Sequence, residues 1–285
     1  MTAEESRLAA AQAHCAALVR DGDPDRYYAT LFAPAEARPP LFALYAFSSE
    51  IARIRDTISG PMPGEIRLQW WRDVLVGDAR GSVSDHPVAA ALLAAIAQFR
   101  LPPQALLDLI DARTFDIYDD PMPSTGDLEG YLGETSSALI RLASLILAGG
   151  RDPGGADAAG HAGIAYGATG LLRALPWHAR RGQLFVPRDI LDANGVTRDD
   201  VVMGRGGPGF VAALADMRAL CRRHHAALGE LRRSVPAQIR PAFLPVALVP
   251  GYLRRMERAD YDPFATLIDQ PAWIKIARLW REARR

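Results

Sequence analysis

The chain has 285 residues, 33 basic and 33 acidic side chains and therefore no formal net charge, and 49% of its residues are hydrophobic. This excludes wholesale disorder and gives no electrostatic footprint for nucleic acid. Two cysteines, Cys15 and Cys221, exclude a disulfide framework or a zinc cage.

No apolar run approaches the ~18 residues of a membrane span. The acidic, alanine-rich start lacks the basic-then-apolar pattern of a signal peptide. The expectation is a cytoplasmic protein, with peripheral membrane contact as the alternative. Nearly all cations are arginine, and Lys275 is the single lysine. Arginine suits planar contacts with carboxylate or phosphate, although a genomic base bias gives the same excess.

Helical periodicity dominates in chain order. Residues 6–20 place Leu8, Ala11, Cys15 and Leu18 at helical steps, and Asp21-Gly22-Asp23-Pro24 ends that helix. A short aromatic helix over 25–32 and a Pro39-Pro40 stop precede a helix over 41–58. On it Tyr45, Ser48, Ser49, Ala52 and Asp56 share one face. Helices follow over 65–76, 87–99, 103–120, 127–148 and 156–178. Residues 182–187 are extended, and a short helix covers 189–194. The last helices are expected over 210–234, 236–248, 252–259 and 272–285. No strand-type alternation persists and no repeat occurs, so the class is all-α, as one domain over 1–285.

Four features bear on chemistry. Trp70-Trp71 cannot share a helix face, so one enters the core, while Gln69, Arg72 and Asp73 could line a polar cavity. Asp116, Asp119 and Asp120 share a helix face that could hold a hard cation, or form a solvated helix end. Gly160, Gly163, Gly167 and Gly170 step along one face, which signals close approach of a backbone or a ligand. They lead to Arg173, which needs an anion if buried, and to Arg180 and Arg181, either phosphate donors or cations at a helix C-terminus. His224-His225 reads as solvated surface, and the basic segment 273–285 as solvated or touching a membrane.

Together these stretches resemble the squalene/phytoene synthase family. Arg38 with Ala43-Leu44-Tyr45-Ala46-Phe47 is similar to the entry into its first Asp-rich motif. The helix with Trp70-Trp71 resembles the one that follows. Asp127-Leu128-Glu129-Gly130-Tyr131 resembles the tyrosine-bearing middle helix, and residues 163–187 the second Asp-rich region. The resemblance implies an all-α isoprenoid-synthase bundle with a central cavity between the helices near 41–58, 65–76, 127–148 and 156–178. It also implies head-to-head joining of two prenyl diphosphates with Mg²⁺ held by facing D-x-x-x-D motifs.

The departures fall on those motifs. Ser48-Ser49 replace a Cys-Arg pair, and Ala52 and Arg53 stand where two acids are expected, leaving Asp56. In the second motif Gly167 and Gly170 replace Gln and Asn, Arg173 is kept, and Ala174 and His178 replace acids. Alanine offers Mg²⁺ no oxygen and arginine repels it. Loss of one key electrostatic stabiliser typically removes ~10²–10³ in rate.

Ala46-Phe47-x-x-Glu50-Ile51-Ala52-x-Ile54-Arg55-Asp56, Glu134-Thr135-Ser136-Ser137 and residues 170–178 resemble more closely the branch of this family that supports assembly of respiratory complex I. The expectation is a degenerate homologue that binds a respiratory subunit, with an isoprenoid diphosphate or lipid in its cavity, and needs no cofactor. The alternative is a prenyltransferase with a rebuilt site, in which case Mg²⁺ is required. Asp56 is expected to pair with a neighbouring arginine rather than hold metal. The cavity candidates are Tyr45, Ser48, Ser49, Ala52, Asp56, Gln69, Tyr131, Gly167, Gly170, Arg173, Ala174 and Arg181.

Overall fold

Prolines open many of the helices, because a first-turn residue needs no backbone N–H. The computed structural model describes residues 2–118 and 120–285, and among these it has fifteen α-helices and no strand. In order they are α1 (Ala3–Gly22), α2 (Pro24–Thr30), α3 (Arg38–Arg53), α4 (Pro61–Val76), α5 (Pro87–Phe99), α6 (Pro103–Arg113) and α7 (Thr125–Leu132). Then come α8 (Ala138–Leu147), α9 (Ala156–Arg180), α10 (Arg188–Ala193), α11 (Arg198–Val202), α12 (Gly207–Leu231), α13 (Arg240–Phe243), α14 (Val249–Arg255) and α15 (Ala272–Ala283). None of the described helices is long and apolar enough to cross a membrane.

The central helix is α3. Residues 40–48 are buried without interruption, as expected of a helix that is apolar all round. It packs on α1, α5 and α8, and Phe47 meets the edge of Trp71 at 5.0 Å. Two boundaries differ from the sequence reading. Pro39 and Pro40 lie inside the first turn of α3, where their missing N–H groups cost nothing, instead of stopping the chain ahead of it. At the other end α3 stops at Arg53 and a 3₁₀ turn, Arg55–Thr57, follows, so Asp56 leaves the face it was expected to share with Tyr45.

The helix expected over 127–148 is α7, a π turn over Gly133–Ser137, and α8. Against this turn lies α9. A Cβ on Gly163 would overlap the Ser137 backbone, and one on Gly167 would come within 2.7 Å of Leu132 Cδ2. Gly160 and Gly170 face open space, so the four-glycine face divides into two packing positions and two free ones.

The acidic stretch is also rearranged. After α6 a 3₁₀ turn, Thr114–Ile117, ends the helical path, so Asp116 and Asp120 share no helix face; Asp119 lies outside the described residues. His224, read as solvated, is 7% exposed. Its ring nitrogens lie 2.9 Å from His161 Nδ1 of α9 and 3.0 Å from Glu129 of α7, so it joins three helices. The helix expected over 236–248 is broken by Pro241 and Pro245 into 3₁₀ and short α pieces. On these, and on α2, the C-terminal helix α15 packs.

Candidate functional site

The start of α2, Ser48 of α3, the α7–π turn and the middle of α9 enclose a cavity of about 260 Å³. The charged side chains on its wall are Asp23, Asp25, Arg26, Arg113 and Arg173. Each belongs to a local network.

At the first, Asp23 caps α2 by accepting from the Arg26 backbone N–H at 3.1 Å and also accepts from Arg26 Nη1 at 2.9 Å. The guanidinium lies between the rings of Tyr45 (5.3 Å) and Tyr166 (5.0 Å). Burial pushes the Tyr45 hydroxyl up to about 12, so it stays protonated.

At the second, Arg113 Nη1 donates to Asp116 at 2.8 Å and to the Tyr131 hydroxyl at 2.7 Å. That hydroxyl donates to the other Asp116 oxygen at 2.8 Å, and Gln183 donates to the Asp116 carbonyl at 2.8 Å. His178, on Phe185 at 4.8 Å, is lowered to about 4 by burial and the nearby Arg113 charge, so it is neutral.

The third network is the deepest. Asp25 is 2% exposed and accepts from the Tyr252 hydroxyl at 2.7 Å, Arg173 Nη1 at 3.0 Å and Lys275 Nζ at 2.9 Å. Lys275 also meets Asp269 at 2.7 Å, and Arg173 reaches the Ile268 carbonyl at 3.0 Å. The Arg173 guanidinium sits 3.9 Å over the Tyr252 ring. Burial works against the Lys275 charge, yet Asp25 and Asp269 overcome it and leave its pKa above the ordinary lysine value.

Of the sequence candidates, Ser48, Tyr131, Gly167, Gly170 and Arg173 line this cavity. The others do not. Tyr45 stands behind Arg26, while Ser49, Ala52 and Ala174 are half-buried away from the cavity wall. Gln69 is exposed and bonds Asp73 one turn on at 2.7 Å. Arg72 pairs with Asp111 at 2.7 Å, so that polar face joins α4 to α6 instead of lining a cavity. Asp56 and Arg181 pair with each other, both half-exposed. Arg53 lies across Gly22 and lines a separate groove with Glu50, Trp70, Trp71 and His86.

Mg²⁺ requires oxygen donors that are free to coordinate. Arg26, Arg113, Arg173 and Lys275 face Asp23, Asp116, Asp25 and Asp269, four cations against four carboxylates. Among the described residues no group of three or more acids, histidines or cysteines is placed to hold a metal. The donor set therefore does not fit the metal sites that the family motifs imply. Among the described residues, Ser136 Oγ and Arg113 Nε are buried without a hydrogen-bond partner.

Sequence reasoning missed Asp23, Asp25, Arg26, Arg113, Tyr166, Tyr252, Asp269 and Lys275. Asp23 read as part of a helix-ending turn and Asp25 as the start of a short aromatic helix. One signal was available: the only lysine stands four residues before Leu279 on α15, and these are the two buried positions of that helix.

The sequence profile of the squalene/phytoene synthase family matches residues 19–278. NADH dehydrogenase (ubiquinone) complex I, assembly factor 6, of Bos taurus is 32% identical over 88% of this chain and 75% of its own length. The Homo sapiens protein of the same name is 30% identical over 94% of this chain and 82% of its own. The crystal structure of squalene synthase HpnC from Alicyclobacillus acidocaldarius superposes with a TM-score of 0.74 at 23% identity, covering 90% of this chain and 97% of that one. The architecture is thus the all-α isoprenoid-synthase fold, and the chain belongs to the squalene/phytoene synthase family.

Proposed function

We propose that this chain is a binding protein in the assembly of respiratory complex I, working peripherally at the inner membrane, and not a Mg²⁺-dependent prenyl synthase. The observation that carries the reading is the engagement of every cavity carboxylate by a cation, Asp23 by Arg26 and Asp25 by Arg173 and Lys275. Ionising a prenyl diphosphate requires a Lewis acid at the leaving group, and these acids are not free to hold one. The cavity volume of about 260 Å³ supports the same reading. It falls below the ~300–1,000 Å³ typical of pockets that enclose one drug-sized ligand, and head-to-head joining needs two prenyl chains together. Similarity to complex I assembly factors over most of their length supports this choice of partner.

The polar lining, with Ser48, Thr135 and Arg173, suits one polar group, such as the head of an isoprenoid or other lipid. Deletion of the gene in its source organism tests the main reading. Loss of assembled complex I on native gels, restored by the wild-type chain, is expected; normal complex I would remove the proposal. Release of diphosphate from farnesyl diphosphate with Mg²⁺, above a heat-killed control, would return the chain to the synthases.

A further inference from the structure

The C-terminal end of α12, α13, α14 and α15 enclose a groove of about 420 Å³. Its floor is apolar, with Leu228, Val235, Phe243, Leu244 and Val246. Its rim carries Arg232, Arg240, Arg254, Arg278, Arg281 and Arg285 against one acid, Glu282. Glu282 is taken by Arg232 at 2.8 Å and Arg285 at 3.5 Å. No ion pair joins Arg240, Arg254, Arg278 or Arg281 to a carboxylate among the described residues.

The outer face of α15 is equally unusual. Trp273, Ile276 and Trp280 fall on one stripe and are 71%, 44% and 48% exposed. The chain therefore shows water an apolar face on a helix whose buried face holds its only lysine. Arg284 lies 3.7 Å over the Trp280 ring, and by helical spacing Arg281 and Arg284 stand between the stripe and the groove.

We propose that the groove and the outer face of α15 form one docking site for an anionic phospholipid surface, with lipid phosphates held by Arg240, Arg254 and Arg281 and the tryptophan stripe lying in the interface. Charge complementarity and the aromatic stripe favour this occupant together. Guanidinium groups bind phosphate as forked donors. Tryptophan and arginine are the side chains that anchor helices at the level of the lipid headgroups. An acidic protein segment would satisfy the arginines but leave Trp273, Ile276 and Trp280 in water. The crowding also carries an electrostatic penalty without an anion: burial lowers the Arg278 pKa, and the charges of Arg254 and Arg281 lower it further. A phosphate removes that repulsion. The site shares no lining residue with the cavity and does not rest on the assembly role.

Co-sedimentation of the full chain with phosphatidylcholine vesicles and with equimolar phosphatidylcholine/phosphatidylglycerol vesicles tests the proposal. Binding to the anionic vesicles alone is expected, weakening as salt is raised. The Arg254→Glu/Arg281→Glu double variant is expected to lose at least ~tenfold in affinity. Trp273→Ser/Trp280→Ser is expected to weaken binding with an unchanged thermal melt. Should the charge-reversed chain melt early, Arg240→Gln serves in its place. Equal binding to neutral vesicles, no vesicle binding, or undiminished binding of the charge variant would overturn the proposal. So would stabilisation by inorganic phosphate, or retention on polyglutamate, in a chain that ignores vesicles.

Discussion

Lys275 of α15 places its Nζ 2.9 Å from a carboxylate oxygen of Asp25 in α2, with the two side chains 3% and 2% exposed. The contact joins the last helix of the chain to the second, directly beneath the cavity. Net stabilisation from such a buried pair is small, but removing one partner leaves a charge that the interior cannot solvate. Asp25→Ala is therefore expected to lower unfolding free energy by ~3–5 kcal/mol in urea titrations. Lys275→Met should be milder, because Arg173 and Tyr252 still hold Asp25. A Lys275→Met loss equal to that of Asp25→Ala would refute this ranking.

The pH limits of the same cluster follow from its shifts. The Lys275 pKa is raised in the fold, so its contribution is complete below the ordinary value of 10.5 and is lost as pH climbs through the folded value. Although burial opposes the Asp269 charge, the bonds from Lys275 and the Gln270 backbone N–H outweigh it and hold its pKa below 3.8. Its contribution is complete above 3.8 and is lost as acid titrates the folded value. Thermal melts of wild type and Lys275→Met should differ by a constant amount across neutral pH and draw together both in strong alkali, as Lys275 loses its proton, and in acid, as Asp269 gains one.

Glycines on α9 should respond in opposite senses. Gly160→Ala meets nothing and is expected to stabilise by ~0.5–1 kcal/mol, the usual helix-interior gain. Gly163→Ala drives a methyl into the Ser137 backbone and is expected to destabilise by ~1–3 kcal/mol or more. Similar melting temperatures for the two variants would contradict the packing of α9 on the π turn.

Glu50 supplies a titration in the neutral range. Burial pushes its pKa from 4.5 up to about 7, with His86 Nε2 at 3.6 Å. The folded chain thus keeps a proton that the unfolded chain releases. Stability falls as pH rises between those values and the loss is complete above about 7. Glu50→Gln is expected to gain ~1–3 kcal/mol at pH 8 and nothing at pH 4, measured by calorimetry at both.

Asp56 pairs with Arg181 at a site where both are about 40% exposed. Exposed pairs contribute ~0–1 kcal/mol, so Asp56→Asn should barely move the melting temperature. A Mg²⁺-dependent rise in the melting temperature of wild type that the variant lacks would instead identify Asp56 as a ligand.

The central position of α3 was legible because residues 40–47 are apolar or aromatic at every step of the helix, which only a fully covered helix tolerates. The acid-poor motifs were legible at Ala52 and Ala174 through the family resemblance, which says where a carboxylate is expected. The cavity network was not. Asp25 meets Arg173, Tyr252 and Lys275, which lie far away in sequence, and no periodicity records which distant helix ends converge. The glycine face shows the boundary between the two cases. Its spacing was visible, whereas the division between Gly163, pressed on Ser137, and Gly170, open to the cavity, depends on the partner's path.

That path is set by the π turn Gly133–Ser137. A π turn holds one residue more than the α-helix around it, so it shifts the phase between α7 and α8. Deleting a single residue there would restore α-helical hydrogen bonding and rotate one flank by roughly 100° relative to the other. Tyr131 would then swing away from Arg113 and Asp116, or Ser137 away from Gly163, since both cannot keep their places. The cavity is in this sense a product of chain register: five residues of loosened helix keep two faces in phase that a regular helix of the same composition would put out of step.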